Sequence, residues 1–185
     1  MKNDILRLGV ILFIITAVAA SMLGIVNQMT SPVISEQIAQ ANDLARQNIL
    51  SQADSFEKLD QDFGEDVVEV YKGLNGSNVV GYTIKTAPSG YSGEIETTTG
   101  ITADGMISGV SIGTMNETPG LGAKAQDEEF ITQYNDKNVS ENIQVIKSGE
   151  PADNEIVAIS GATITSVAVT EGVNTSIDIY KEALE

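Results

Sequence analysis

The 185-residue chain contains no cysteine, no histidine and no tryptophan. Those absences exclude a disulfide, a thiolate or imidazole metal site, an iron–sulfur cluster and a histidine-ligated haem. They also exclude Ser-His-Asp and Cys-His nucleophilic catalysis. Basic residues are scarce, 10 against 26 acidic ones, which leaves a net charge of −16. Such a surface argues against nucleic acid or anionic lipid as a partner of the water-exposed part. Aromatic residues make up only 5%, and proline occurs four times. The lack of cysteine fits an oxidising compartment without requiring one.

The chain does contain a long uncharged run near its start. No Lys, Arg, Asp or Glu falls between Leu8 and Ser35, and the most apolar part is Leu8–Val26. At 1.5 Å rise per residue this run nearly spans a hydrocarbon core of about 30 Å. Lys2 and Arg7 precede it, and the next basic residue is Arg46. The positive-inside rule then keeps the N-terminus cytoplasmic and places the residues after the span outside. Ala17-Val18-Ala19 resembles a signal-peptide cleavage site, but the apolar run continues through Met22, Leu23, Ile25 and Val26. That continuation favours an uncleaved anchor over residues 1–29.

Beyond the span, Ser31 and Pro32 read as the cap and first position of a new helix. Ile38, Ala41, Leu44, Ala45 and Ile49 recur at helical spacing, so residues 30–54 read as a connecting amphipathic helix. The acidic stretch 54–66 reads as a solvated loop. Alternating segments at 67–74, 79–86, 93–102 and 106–114 read as strands, with hairpin turns at Asn75-Gly76 and Ala103-Asp104-Gly105. Residues 125–134 read as a short helix, 142–148 and 155–159 as short strands. The remainder from Thr163 reads as a helix with Val169, Val173, Ile177, Tyr180 and Leu184 on one face. The fold class expected for 55–185 is α+β, a mainly antiparallel sheet with flanking helices.

Three segments could carry chemistry. Ser160-Gly161-Ala162-Thr163 lies where a strand ends and a helix begins, with Thr165 and Ser166 close behind. Such a position favours a phosphate, because the first N–H groups are unpaired and the dipole is positive there. Ordinary capping, with Ser160 as N-cap, accounts for the same residues. Glu117-Thr118-Pro119-Gly120-Leu121-Gly122 is a tight turn that exposes backbone N–H groups, with Lys124 able to neutralise an anion. It reads equally as a plain surface loop. In Gly90–Ile95, Tyr91 can stack on a flat ring or pack in the core.

Taken together, these segments resemble the FMN-binding domain family. The resemblance is greatest to the G subunits of Rnf electron-transport complexes, with the C subunits of sodium-pumping NADH:quinone reductases as relatives. It runs over nearly the whole chain: the anchor, Val26-Asn27-Gln28-Met29-Thr30-Ser31-Pro32-Val33-Ile34, Gly90–Ile95, the 117–122 loop and Ser160–Thr163, in that order. The resemblance implies FMN esterified through its phosphate to the hydroxyl of Thr163, installed by a separate flavin transferase that uses FAD. It places Ser160, Gly161 and Ala162 around the phosphate and Thr118, Gly120 and Leu121 near the flavin ring. Glu117 and Lys124 would support the loop, with Tyr91 and Ser92 as further contacts. Many members carry an acidic residue where this chain has Val157, although Asp153 and Glu155 are nearby.

The implied function is a membrane-anchored flavoprotein relaying electrons within a ferredoxin:NAD⁺ oxidoreductase that moves Na⁺ or H⁺. The FMN-binding domain (55–185) would then lie outside the cytoplasmic membrane, and other membrane and peripheral subunits would be its partners. A component of an NADH:quinone reductase, a freestanding extracellular flavin carrier, or a membrane-tethered binding module without flavin are the alternatives. The span carries no ionisable residue, so the ion path is expected in partner subunits.

Overall fold

A computed structural model describes residues 2–64 and 66–184, side chains excepted at 2–4, 183 and 184. Lys2 and Leu184, both singled out above, therefore have no described side chain. The chain divides into two units, residues 1–42 and 43–185.

The first unit is helical. Helix α1 runs from Lys2 to Ile49 and contains Pro32. The expected restart at Ser31-Pro32 does not occur: one helix continues through the proline. Proline there removes the N–H that would reach the Gln28 carbonyl, and its ring crowds that carbonyl. The hydroxyl of Ser35 donates to the carbonyls of Ser31 (3.0 Å) and Pro32 (2.9 Å). Small polar residues elsewhere in the run are satisfied within the helix. Thr16, Ser21 and Thr30 donate to the Leu12, Ala17 and Val26 carbonyls at 3.0, 2.7 and 3.0 Å. Their hydroxyls thus need no water, which suits an apolar surround. α1 is long and apolar enough to cross a membrane, with a mean hydropathy of 2.6 over its most apolar window.

The second unit is built on a five-stranded antiparallel sheet in simple meander order. Its strands are β1 (Ser55–Lys58), β2 (Val67–Asn75), β3 (Asn78–Thr86), β4 (Ile95–Thr102) and β5 (Ile107–Met115). The 54–66 stretch is therefore not all loop. β1 pairs with β2, and Glu57 faces Lys72 across the ladder with an ion pair at 2.9 Å. The Gly76 and Gly105 turns take φ +61° and +76°, the left-handed conformation that glycine enters without steric cost. A short parallel pair follows, β6 (Gln144–Ile146) with β7 (Glu155–Val157), and then α3 (Thr163–Ile179). Between β5 and β6 the expected single helix is three short turns, 3₁₀ at Gly122–Gln126, α2 at Glu128–Ile131 and 3₁₀ at Thr132–Tyr134.

The two sheet faces are covered differently. Val70, Ile84 and Val110 point from one face into a core completed by Val169, Val173 and Ile177 of α3. Each such side chain contributes about 1.5–3 kcal/mol when fully buried. Phe130 and Tyr134 stack edge to face at 5.8 Å beside them. Burial pushes the Tyr134 phenol pKa up, and the group stays protonated and lies 2.7 Å from the Thr170 hydroxyl. On the other face, Gly73, Gly100 and Gly109 leave bare backbone. A Cβ on Gly109 would stand 3.3 Å from Ile49, and one on Gly100 would stand 3.1 Å from the Ile49 carbonyl. The last residues of α1 and the turn after it, Ile49, Leu50 and Ala53, are buried there. Their seating ends the helix at Ile49, five residues before the expected end. Asp54 then donates its N–H to the Leu74 carbonyl at 2.7 Å, which opens the β1–β2 pairing.

Candidate functional site

Three loops that lie far apart in the sequence meet at the N-terminus of α3. The 90–92 loop precedes β4, the 117–122 loop follows β5, and residues 160–165 join β7 to α3. They enclose a cleft of about 510 Å³ lined by Tyr91, Thr118, Leu121, Gly161, Thr163 and Ile164, among others. Small-molecule sites commonly fall between about 300 and 1,000 Å³.

Glu117 ties the loops together. The residue is 7% exposed. Oε1 accepts the backbone N–H groups of Tyr91 at 2.8 Å and Ser92 at 3.0 Å. Oε2 accepts the Thr165 hydroxyl at 2.9 Å. Two glycines make room for it. A Cβ on Gly90 would meet Oε1 at 2.5 Å, and one on Gly122 would meet the Thr165 hydroxyl at 2.7 Å. Glu117 was expected to support its own loop, and the structure extends its reach to two others.

The start of α3 is held differently from the expected capping. Ser160 is exposed, and the N-cap position is Ala162, with no side-chain cap. Ser166 does the holding instead. Its hydroxyl accepts the Ile159 N–H and donates to the Ala162 carbonyl, both at 3.0 Å. With no capping oxygen supplied, the first-turn N–H groups are left for whatever occupies the cleft. Gly161 takes φ +77°, and a Cβ there would press on Leu121 at 3.2 Å.

Two hydroxyls on this turn have opposite surroundings. Thr165 is 1% exposed and spends its proton on Glu117. Thr163 is half-buried on the cleft wall, and its hydroxyl makes no hydrogen bond among the described residues. A reactive hydroxyl must be reachable and uncommitted, and Thr163 meets both conditions.

The other expected residues are distributed as follows. Tyr91 and Leu121 stand on the rim, 69% and 44% exposed, so the tyrosine ring is not a core residue. Thr118 lines the cleft, and its carbonyl accepts the N–H groups of Leu121 and Ala123, both at 3.1 Å. Gly120 shapes the loop through its φ of +78°. Ser92 takes part through its backbone N–H. Lys124 and Ser160 lie in a neighbouring cleft of about 490 Å³, with Phe130, Gln133 and Val157. Val157 there exchanges both backbone bonds with the Gln133 amide, at 2.8 and 3.2 Å. Ile164, which no motif singled out, joins the wall because it shares the first helical turn with Thr163.

The residues present suit FMN. The cleft has one apolar side (Tyr91, Leu121, Ile164), an uncapped helix start and a free hydroxyl beside it. Side chains at Gly122 and Gly161 would press on Thr165 and Leu121, which line it.

Comparison with known proteins agrees. Residues 90–178 match the model of the FMN-binding domain, and residues 1–52 match that of the RnfG N-terminal region. The chain is 46% identical to the G subunit of the Na(+)-translocating ferredoxin:NAD(+) oxidoreductase complex of Acetobacterium woodii, covering 96% of this chain and 92% of that one. It is 32% identical to the proton-translocating counterpart of Clostridium ljungdahlii, with the same coverages. It is 35% identical to the G subunit of the ion-translocating oxidoreductase complex of Methanosarcina acetivorans, covering 100% and 98%. Among solved structures, the C subunit of the Na(+)-translocating NADH-quinone reductase of Parabacteroides distasonis shares the fold. The TM-score is 0.61 at 20% identity, over 80% of this chain and 94% of that one. This chain belongs to the G-subunit family of ion-translocating oxidoreductase complexes, and its globular unit carries the FMN-binding domain.

Proposed function

We propose that the protein is a membrane-anchored flavoprotein that carries FMN on Thr163 and relays electrons within a ferredoxin:NAD⁺ oxidoreductase coupled to Na⁺ or H⁺ translocation. The observation that carries this reading is Thr163, which lines the cleft with a hydroxyl that makes no hydrogen bond among the described residues, two residues from a hydroxyl that is buried and committed.

Bound there, FMN supplies reversible electron transfer, a chemistry that no side chain of this chain offers. The chain's own residues bind and orient. Attachment joins the Thr163 oxygen to the FMN phosphorus of FAD and breaks the pyrophosphate bond, releasing AMP and the hydroxyl proton. A flavin transferase would catalyse that step. The resulting diester carries one negative charge, which the N-terminus of a 17-residue helix favours. Tyr91 and Leu121 offer apolar surface to the ring. No residue need act as acid or base, which accords with the absence of histidine and cysteine.

The orientation follows from Lys2 and Arg7 before the span and from no basic residue until Arg46. It puts the FMN-binding domain outside the cytoplasmic membrane, with other subunits of the complex around it.

The test is ultraviolet fluorescence of the denatured protein after expression with and without a flavin transferase. The expected result is a fluorescent band that requires both the transferase and Thr163, and complete loss in Thr163→Ala. A band that persists in Thr163→Ala overturns the attachment site, and no band in the wild type overturns covalent loading. Because the chain lacks cysteine, Ser140→Cys provides a unique thiol for topology. A membrane-impermeant maleimide should label it in intact cells, and protection until lysis would reverse the orientation.

A further inference from the structure

Glu117 is a buried acid at the junction of the three loops. Three donors from two other segments converge on its two oxygens, at 2.8, 3.0 and 2.9 Å. An ionised carboxylate only accepts, so this donor set suits the charged form. The other well-buried charges of the unit are cations with anionic partners. Arg46 pairs with Asp43 and Glu69, and Lys85 pairs with Glu96. Glu117 has no Lys or Arg partner among the described residues, and it lines the cleft.

A negative charge held in a poorly hydrated wall disfavours a second negative charge nearby. The three bonds also fix two walls of the cleft relative to each other, the 90–92 loop and the first turn of α3. We propose that Glu117 is a positioning residue: it clasps these walls around a flavin tethered at Thr163, and its charge lowers that flavin's midpoint potential. The inference rests on the flavin reading above. It adds a specific residue that sets both the seating and the redox level of the group.

Glu117→Gln is the informative variant. The amide oxygen still accepts from Tyr91 and Ser92, while the amide nitrogen replaces the acceptor facing Thr165. The shape is kept, the charge is lost and one bond reverses. Three measurements on the full-length protein in detergent separate the outcomes. The first is flavin content by fluorescence after expression with the transferase. The second is the midpoint potential of the loaded protein, by reductive titration. The third is amide hydrogen exchange at residues 90–92 in protein made without the transferase.

The expected result, read on the flavin-loaded fraction, is a midpoint potential shifted upward, with faster exchange at Tyr91 and Ser92 in the unloaded protein. Glu117→Asp, which restores the charge on a shorter stem, should return the potential toward wild type while leaving exchange fast. An unchanged potential in a fully loaded, folded Glu117→Gln protein overturns the proposal and reduces Glu117 to a structural residue. A downward shift overturns it equally. If Glu117→Gln fails to fold, Thr165→Val isolates the clasp: unchanged exchange at 90–92 in that variant overturns the clasp. Failure of the flavin reading itself would show separately, as an unlabelled wild type.

Discussion

Arg46 and Glu117 are equally buried, each 7% exposed, yet their surroundings are opposite. Arg46 is enclosed by compensation. Its guanidinium bonds Asp43, meets Glu69 at 3.2 Å and lies 3.9 Å from the centre of the Tyr71 ring. Those contacts occur where the end of α1 reaches the sheet. Glu117 receives only neutral donors and borders the cleft of about 510 Å³ at the start of α3. A charge that serves packing is neutralised by its neighbours, because breaking a buried pair leaves an expensive lone charge. A charge left with dipoles alone still projects a field into the space beside it. The contrast separates the joint from the site without reference to any ligand.

The comparison can be broken at either end. The largest effect is expected from Arg46→Met, which keeps the stem's packing but takes the guanidinium from half-buried Glu69, leaving it Lys58 at 3.9 Å and the Tyr71 hydroxyl at 3.3 Å. It should destabilise the globular unit by about 2–3 kcal/mol, at or just below the cost of breaking a buried pair, and leave flavin content unchanged. Thermal unfolding checks the first part and in-gel fluorescence the second. Loss of flavin in a folded Arg46→Met protein would mean that joint and site are coupled. Thr165→Val should cost less, about 1.5 kcal/mol, since it removes one of three donors from a charged carboxylate and keeps the side-chain volume. Thr83→Val sharpens the scale at its lower end. The Thr83 hydroxyl is buried with no partner among the described residues, so replacing it with a methyl should be neutral or stabilising by under about 1 kcal/mol. A clear loss of stability in Thr83→Val would point to a partner for that hydroxyl in solution.

Much of the architecture is legible before any coordinates. The alternation in 67–74 and 79–86 and the Asn75-Gly76 turn specify a hairpin locally, and the structure has β2 and β3 there. The apolar face of the last helix is equally plain, since Val169, Val173 and Ile177 recur at helical spacing and are fully buried. What failed to show were features set by distant partners. β1 is short and polar, and it becomes a strand only because β2 offers an edge to pair with. Pro32 looks like a helix start, yet the helix passes through it, with one N–H missing and the ring set against the preceding turn. Ser160 looks like a cap, but Ser166 reaches back from the next turn and satisfies the strand exit instead.

The sequence alone determined the uncharged span, the acid excess, the exclusion of thiol and imidazole chemistry, and the order of the motifs that mark the family. These are properties of composition and short-range pattern, and they need no neighbour to express them. The tertiary structure alone decided which hydroxyl of the 163–165 turn is free and which is committed. That choice depends on Glu117, 48 residues from Thr165 along the chain. A hydrogen bond across such a separation exists only after β5 and α3 have packed, and local sequence carries no trace of it.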